Sequence, residues 1–367
     1  MKRKPLVLWG IAAVLLVSYI GILFMSISAN DQRIQIKAYE DWRNAYVRPA
    51  AVGSYVNTTA GKQTALSEAQ GYGMVITVLA AEKGFATETE FKELVAYYQA
   101  HQLSDTNALM AWKQEETKQG WQSVSQHNAT DGDLDIAYAL VLAAELWPDS
   151  GYQQLAQQLL TSIQQYNYNP ETGFLTVGDW ATVDKKASTL LRPSDVMPSY
   201  FEKFYDFTQD AFWQQVKTRG LALLTELSDD KTGLIPDFAW IGEKVTPAKA
   251  NEVSNAYDGD YSDNACRIPM RLALSDDEGS RKLLDKMLPF FNEQTVVYAG
   301  YTLKGKPLQD YQSLAFSAPL LLAGKQDAAY SGLITSQNWV IAEPIQGDNY
   351  YNETLKVLVT LWMYPVK

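Results

Sequence analysis

Carboxylates dominate the side chains of this sequence that can do chemistry at neutral pH. Its 367 residues include 42 Asp and Glu against 31 Lys and Arg, but only two histidines, His101 and His127, and one cysteine, Cys266. A three-histidine metal site is therefore excluded, and a Ser-His-Asp triad has to use one of those two rings. A single cysteine rules out an intrachain disulfide and a thiolate zinc cluster. The formal charge of −11 argues against a nucleic-acid surface, which needs a basic face for phosphate. Acid–base catalysis thus falls mainly to Asp and Glu. Twenty-two tyrosines, 12 phenylalanines and 10 tryptophans suit stacking on sugar rings, and an ordinary core equally well.

Three clusters concentrate the polar chemistry. In Ser67-Glu68-Ala69-Gln70-Gly71-Tyr72-Gly73-Met74, Ser67 is suited to cap a helix beginning at Glu68. The two glycines are poor helix formers, so they imply close backbone packing or a ligand lying against that surface. Read alone, Glu68 does no more than complement the helix dipole. In Ala129-Thr130-Asp131-Gly132-Asp133-Leu134-Asp135, three carboxylates alternate. A calcium loop starting at Asp131 needs Gly at its sixth position and Glu at its twelfth; Ile136 and Leu142 stand there. Asp131 reads as a helix cap, and Asp135, one turn on, precedes an apolar stretch and needs a hydrogen-bonded partner if buried. In Tyr261-Ser262-Asp263-Asn264-Ala265-Cys266-Arg267, an arginine one turn into a helix is suited to orient carboxylates by paired hydrogen bonds, or simply to tie two helices together.

The elements that must position these clusters are helical. Apolar residues recur with helical period at Ile34–Val47, Glu68–Glu82, Thr87–Gln99, Leu134–Trp147, Tyr152–Gln165 and Asp210–Leu227, then at Ala265–Leu274, Gly279–Phe291, Ser313–Leu322, Ala328–Ser336 and Asn349–Trp362. Strand-like alternation is scarce, and no repeat of fixed period is visible. About a dozen helices predict an all-α domain of antiparallel hairpins. Five connections are long: Ser54–Leu66, Thr106–Asp131, Pro170–Pro198, Pro236–Asp263 and Val297–Asp310. Long loops gathered at one end of a helical barrel are where a cleft is expected.

At the N-terminus, Lys2, Arg3 and Lys4 precede a continuous apolar run from about Leu6 to Ala29. That run is long enough to cross a bilayer, and the basic flank places it cytoplasm-side in. Residues 1–29 are therefore expected to be a transmembrane anchor, with a cleaved signal sequence as the rival, because bulky Ile27 fits a small-residue cleavage site poorly. Residues 30–367 are then expected to form one exported domain. The membrane contact is expected through residues 6–29.

Together the clusters resemble glycoside hydrolase family 8. Ala129–Trp147 (ATDGDLDIAYALVLAAELW) is similar to that family's long signature, and Ser67–Met74 (SEAQGYGM) to its acid motif, with Ala69 where glycine is common. Leu109-Met110-Ala111-Trp112, Pro198-Ser199-Tyr200-Phe201 and Tyr350-Tyr351 also look like family segments. The resemblance implies an (α/α)6 barrel of six inner and six outer helices. It implies inverting hydrolysis of β-1,4-linked glucan, xylan or chitosan, with no cofactor and no metal. Some bacterial members accompany exopolysaccharide synthases, which makes such a complex a partner to consider. By resemblance Glu68 is the general acid, Asp131 sits beside it and grips the sugar, and Trp112 and Tyr200 line the cleft with Asn264 and Arg267. Many members carry the catalytic base immediately before Ala-x-Arg, where this chain has Asn264. Asp263 is ranked first as base, with Asp237, Glu252, Asp258 and Asp260 as alternatives. A protein that binds polysaccharide without cutting it is the second reading that Asn264 leaves open. A lyase is disfavoured by the net acidity and the shortage of histidine.

Overall fold

A computed structural model describes residues 4–364, with the backbone but only some side chains for residues 4–28. The helices in chain order are α1 (Lys4–Tyr46), α2 (Ser67–Glu82), α3 (Glu88–Ala100), α4 (Thr130–Leu146), α5 (Tyr152–Asn167), α6 (Asp179–Thr182) and α7 (Pro198–Thr208). They continue with α8 (Ala211–Leu227), α9 (Ile268–Ala273), α10 (Glu278–Asn292), α11 (Leu314–Gly324), α12 (Ser331–Gln337), α13 (Trp339–Ala342) and α14 (Tyr350–Met363). Six of them, α2, α4, α7, α9, α11 and α14, each pack on the next, and α14 packs back on α2 to close a ring. Around it α3 packs on α2, α5 on α4, α8 on α7, α10 on α9, α12 on α11 and α1 on α14. This is the helical-hairpin ring expected from the periodicity.

Composition decides which helix goes inside. α2, α4 and α11 are apolar on nearly every side and almost wholly buried, as an enclosed helix must be. α10 instead buries one stripe, Leu283, Leu284, Met287, Leu288 and Phe291, and turns its charges outward. Helix α7 escaped the period analysis. Pro198 opens it at a position where the missing N–H costs nothing, and Tyr200, Phe201 and Phe204 face inward.

Because hairpins alternate direction, the inner helices run parallel and their N-termini gather at one end. The long connections lead into those N-termini. They carry short antiparallel strands of two to five residues, such as Thr64–Leu66 with Lys113–Thr117, and Leu190–Leu191 with Ala239–Ile241. Segments this short leave no alternation to read, which is why the sequence looked strand-free.

The apolar run at 6–29, expected as a membrane anchor, lies largely outside the described side chains. Among the described residues, no helix is long and apolar enough to cross a membrane. α1 docks on the barrel through its last turns, where Ala38, Tyr39, Trp42 and Tyr46 are buried. Trp42 Nε1 donates to Thr354 Oγ1 at 2.9 Å, and Tyr46 bonds Glu353.

Candidate active site

The site is built at the gathered N-termini, and two glycines bring its first carboxylates together. A Cβ on Gly71 of α2 would lie 2.7 Å from Asp135 Cβ and 2.8 Å from the Gly132 carbonyl. One on Gly132 of α4 would lie 2.5 Å from Ser67 Oγ. The glycines therefore serve backbone packing of α2 on α4. That approach sets Glu68 beside Asp131. Neither helix is capped as expected: α2 starts at Ser67 after Leu66, α4 at Thr130 after Ala129, and no side chain caps either.

Freed from capping, Asp131 faces two guanidinium groups. Arg267 Nη1 donates to its Oδ2 at 3.0 Å, and Arg192 Nη2 approaches its Oδ1 at 2.8 Å. The Gly132 N–H donates to the same Oδ1 at 3.0 Å. Burial works to raise the Asp131 pKa, but the two arginines and the N–H outweigh it and the net shift is downward. Glu68 shows the opposite balance. Arg267 Nη1 reaches its Oε2 at 3.2 Å, and its side chain keeps 22% exposure. Desolvation, with help from the Asp131 charge, pushes it up to about 7 against the pull of Arg267 and Arg192. Two neighbouring carboxylates are thus driven apart, one ionised and one poised to hold a proton at neutral pH, the pattern of an acid site.

Arg267 is the hub. It is 1% exposed, and besides the two carboxylates it reaches Tyr72 Oη at 3.2 Å, Ser194 Oγ at 2.8 Å and Asn264 Oδ1 at 2.9 Å. It was expected to touch substrate; buried this way, it instead holds Glu68 and Asp131 in place. Tyr200 is likewise corrected from cleft wall to interior. It is fully buried, stacks on Tyr138 with centroids 3.7 Å apart, and donates to Asp135 Oδ1 at 2.8 Å. Asp135 has the partner its burial demanded, a two-pronged contact with Arg271 at 3.0 and 2.9 Å.

The five candidate bases separate by location. Asp263 is exposed and lines a cavity of about 450 Å³ together with Glu68, Asn264, Tyr311 and Tyr351. Among the described residues its carboxylate has no protein partner; burial raises its pKa against the pull of Arg267. Its backbone is held, since Tyr351 Oη donates to the Asp263 carbonyl at 2.6 Å. Asp237 is 1% exposed and accepts the N–H groups of Ser262, Asn264 and Ala265 at 3.0, 3.1 and 2.7 Å. It clamps the turn on both sides of Asp263, and burial lifts it to about 7. Asp258 ties down a loop through the N–H groups of Val253, Ser254 and Asn255. Asp260 is half-buried, with burial raising its pKa. Glu252 accepts from the Lys249 N–H and from Trp240 Nε1, each at 2.9 Å, and pairs with Lys186 at 3.3 Å. These donors hold it down at about 2.

Trp112 is 38% exposed, and its backbone lies beside the start of α2. Its N–H donates to the His127 carbonyl and its carbonyl accepts from the Ser67 N–H, both at 2.9 Å. Three groups went unnoticed in the sequence. Arg192 follows two leucines in a long connection and carries Asp195 on its Nε at 2.7 Å; a lone arginine in an apolar run was its signal. Trp180 is 40% exposed, and the adjacent Asp179 carboxylate meets His127 Nδ1 at 3.1 Å. Nothing in their spacing links those three. Among the described residues, no cluster of His, Cys, Asp or Glu is arranged to hold a metal ion.

Comparison with known proteins agrees with this geometry. The family model described as glycosyl hydrolases family 8 matches residues 12–364. A beta-glucanase of Niallia circulans is 32% identical, covering 92% of this chain and 85% of that protein. An endoglucanase of Bacillus sp. (strain KSM-330) is 30% identical, covering 95% and 81%. The apo structure of a beta-1,3-1,4-glucanase from Paenibacillus sp. X4 superimposes with a TM-score of 0.84 at 30% identity, covering 92% of each chain.

Proposed function

The chain belongs to glycoside hydrolase family 8 and is an endoglucanase-like glycoside hydrolase; from that premise we propose an inverting endo-cleavage of β-1,4-type linkages in an extracellular β-glucan. The observation that carries this reading is the shared cavity of Glu68 and Asp263. One holds a proton near pH 7, and the other offers a carboxylate with no protein partner. An inverting glycosidase needs this pair, an acid for the leaving oxygen and a separate carboxylate for water.

In this mechanism Glu68 protonates the glycosidic oxygen while Asp263 takes the proton of the attacking water. Burial, helped by the negative charge of Asp131, keeps Glu68 protonated, and Arg267 and Arg192 keep Asp131 ionised. Trp112 offers an aromatic face to a sugar ring. The substrate class is supported by the beta-glucanase and endoglucanase names of the relatives. Asn264 favoured a non-hydrolytic binder when read alone. Its actual contacts, Arg267 on Oδ1 and Asp237 on Nδ2 at 3.4 Å, make it a neutral bridge between those groups and leave the base to a neighbour.

The proposed setting is the outer face of a membrane, reached through residues 6–29. Leu15, Leu16, Val17 and Tyr19 are exposed apolar side chains on α1. Gln35 of α1 bonds Lys83 at the C-terminal end of α2, while Tyr46 meets Glu353 in the first turn of α14. α1 therefore leaves the barrel at the end away from the cleft, and an anchored enzyme would present its cleft outward. Such placement suits trimming of an exported polysaccharide beside a synthase.

Reducing-end release from a panel of β-1,4 and mixed-linkage glucans tests the activity, with Glu68→Gln as control. Loss of about 10²–10⁴-fold in rate with polymer binding retained is the expected result, and NMR of the first product should show the inverted anomer. Equal release by both proteins would overturn it.

A further inference from the structure

Outer helix α5 differs from its neighbours. Its sequence, YQQLAQQLLTSIQQYN, holds six glutamines and no charged residue, whereas the outer helices before and after it carry charges, Glu88, Glu90, Lys92 and Glu93 on α3 and Lys217, Arg219 and Glu226 on α8. Gln153, Gln154, Gln157, Gln158 and Gln165 line a groove of about 880 Å³ that shares no lining residue with the Glu68 cavity. Among the described residues, none of those five amides has a hydrogen-bond partner, while Gln164, one residue outside the groove, bonds Asp210. The opposite wall is the hairpin Gln102–Ser104 with Asn107–Met110, and the floor is fixed by the Ala108 N–H donating to Ser162 Oγ at 3.0 Å. Gly151, at φ +87°, turns the chain to close one end.

We propose that this groove is a second carbohydrate-binding site, which holds the neutral glucan away from the cleavage point. Each free amide presents both a donor and an acceptor, the match for a hydroxyl that both gives and takes a hydrogen bond. Asp105 and Asp149 at the rim add acceptors for further hydroxyls. Ala108, Pro148 and the glutamine stems supply apolar surface for the C–H face of a sugar. The volume lies within the range of small-molecule sites. With no lysine, arginine or glutamate in its lining and aspartates at the rim, the groove disfavours anionic partners and leaves its amides to an uncharged one. The strand that floors it at Ala108 ends at Met110, and the chain reaches Trp112 within about 14 Å of extended backbone.

The substrate class rests on the proposed function, and the test keeps the two readings apart. Gln154, Gln157 and Gln158 are replaced together by alanine, at exposed helical positions where alanine favours the helix. Retention in a gel containing mixed-linkage β-glucan is measured in a Glu68→Gln background, and turnover of a short cello-oligosaccharide in the active background. Retention should fall at least threefold while oligosaccharide turnover stays within twofold. Unchanged retention, or a parent protein that the polymer does not retain at all, overturns the second site. Failure of the parent to cut any glucan refutes the proposed function and leaves the retention result to judge the groove.

Discussion

Arg267 Nη1 stands 3.2 Å from the Glu68 carboxylate, across 199 residues of sequence, and burial still pushes Glu68 up to about 7. A guanidinium so close ordinarily holds a carboxylate ionised. Here Arg267 is shared with Asp131 at 3.0 Å, so its charge is largely spent on the more deeply buried partner, and desolvation decides the state of Glu68.

The alkaline limb of kcat/KM should therefore fall with an apparent pKa near 7, as Glu68 loses the proton it must donate. Asp131→Asn removes a neighbour that raises Glu68 and frees Arg267 and Arg192 to lower it. Both changes act in one direction, so the limb should move to lower pH. A pH–rate profile of the two proteins checks this; a limb that stays in place would mean that another group controls it.

The base is tested by leaving-group dependence. Glu68→Gln should recover much of its rate on an aryl glycoside whose leaving group needs no proton. Asp263→Asn should not, because water activation is still missing. Glu252→Gln should keep near-normal rates on both substrates, since Lys186, Trp240 and the Lys249 N–H already occupy that carboxylate. If Glu252→Gln, and not Asp263→Asn, shows the unrescued loss, the base is on the loop.

Asp237 is argued to hold the turn rather than to take a proton. Asp237→Asn keeps an oxygen for the three N–H groups, so it should retain kcat within several-fold. Asp237→Ala leaves those N–H groups without their acceptor. It should lower kcat far more than KM and cost about 1–3 kcal/mol of stability. A general base predicts instead that the asparagine variant is as dead as the alanine one, and steady-state kinetics with thermal melts tell the two apart.

Gly71→Ala places a methyl where Asp135 Cβ is 2.7 Å away. Forcing α2 from α4 should cost about 1–3 kcal/mol, read as a lower Tm. Because the same contact sets Glu68 beside Asp131, the alkaline limb of activity should shift as well. A fully stable, fully active variant would show that the helices approach less closely than described.

How much of this was legible in the sequence depended on the range of the interaction. Helical period was enough to mark eleven helical stretches and the long connections between them, because these are local properties of a chain; Glu68, Asp131 and Asp263 stood out only through the resemblance to family 8, since period and residue type alone read Glu68 as a dipole complement and Asp131 as a cap. Ser67 and Asp131 misled as caps, since a capping residue and a residue one step inside a helix look alike until the first hydrogen bond is seen. Tyr200 misled because an aromatic facing a sugar and one facing a buried aspartate share the same pattern. Trp180 and the His127–Asp179 pair left no local sign at all, and Arg192 only that of an arginine following two leucines. Which carboxylate keeps its proton was beyond the sequence as well. That choice comes from the balance of burial against two arginines, 61 and 136 residues along the chain from Asp131, and only closing the ring of helices brings those charges within reach of one another.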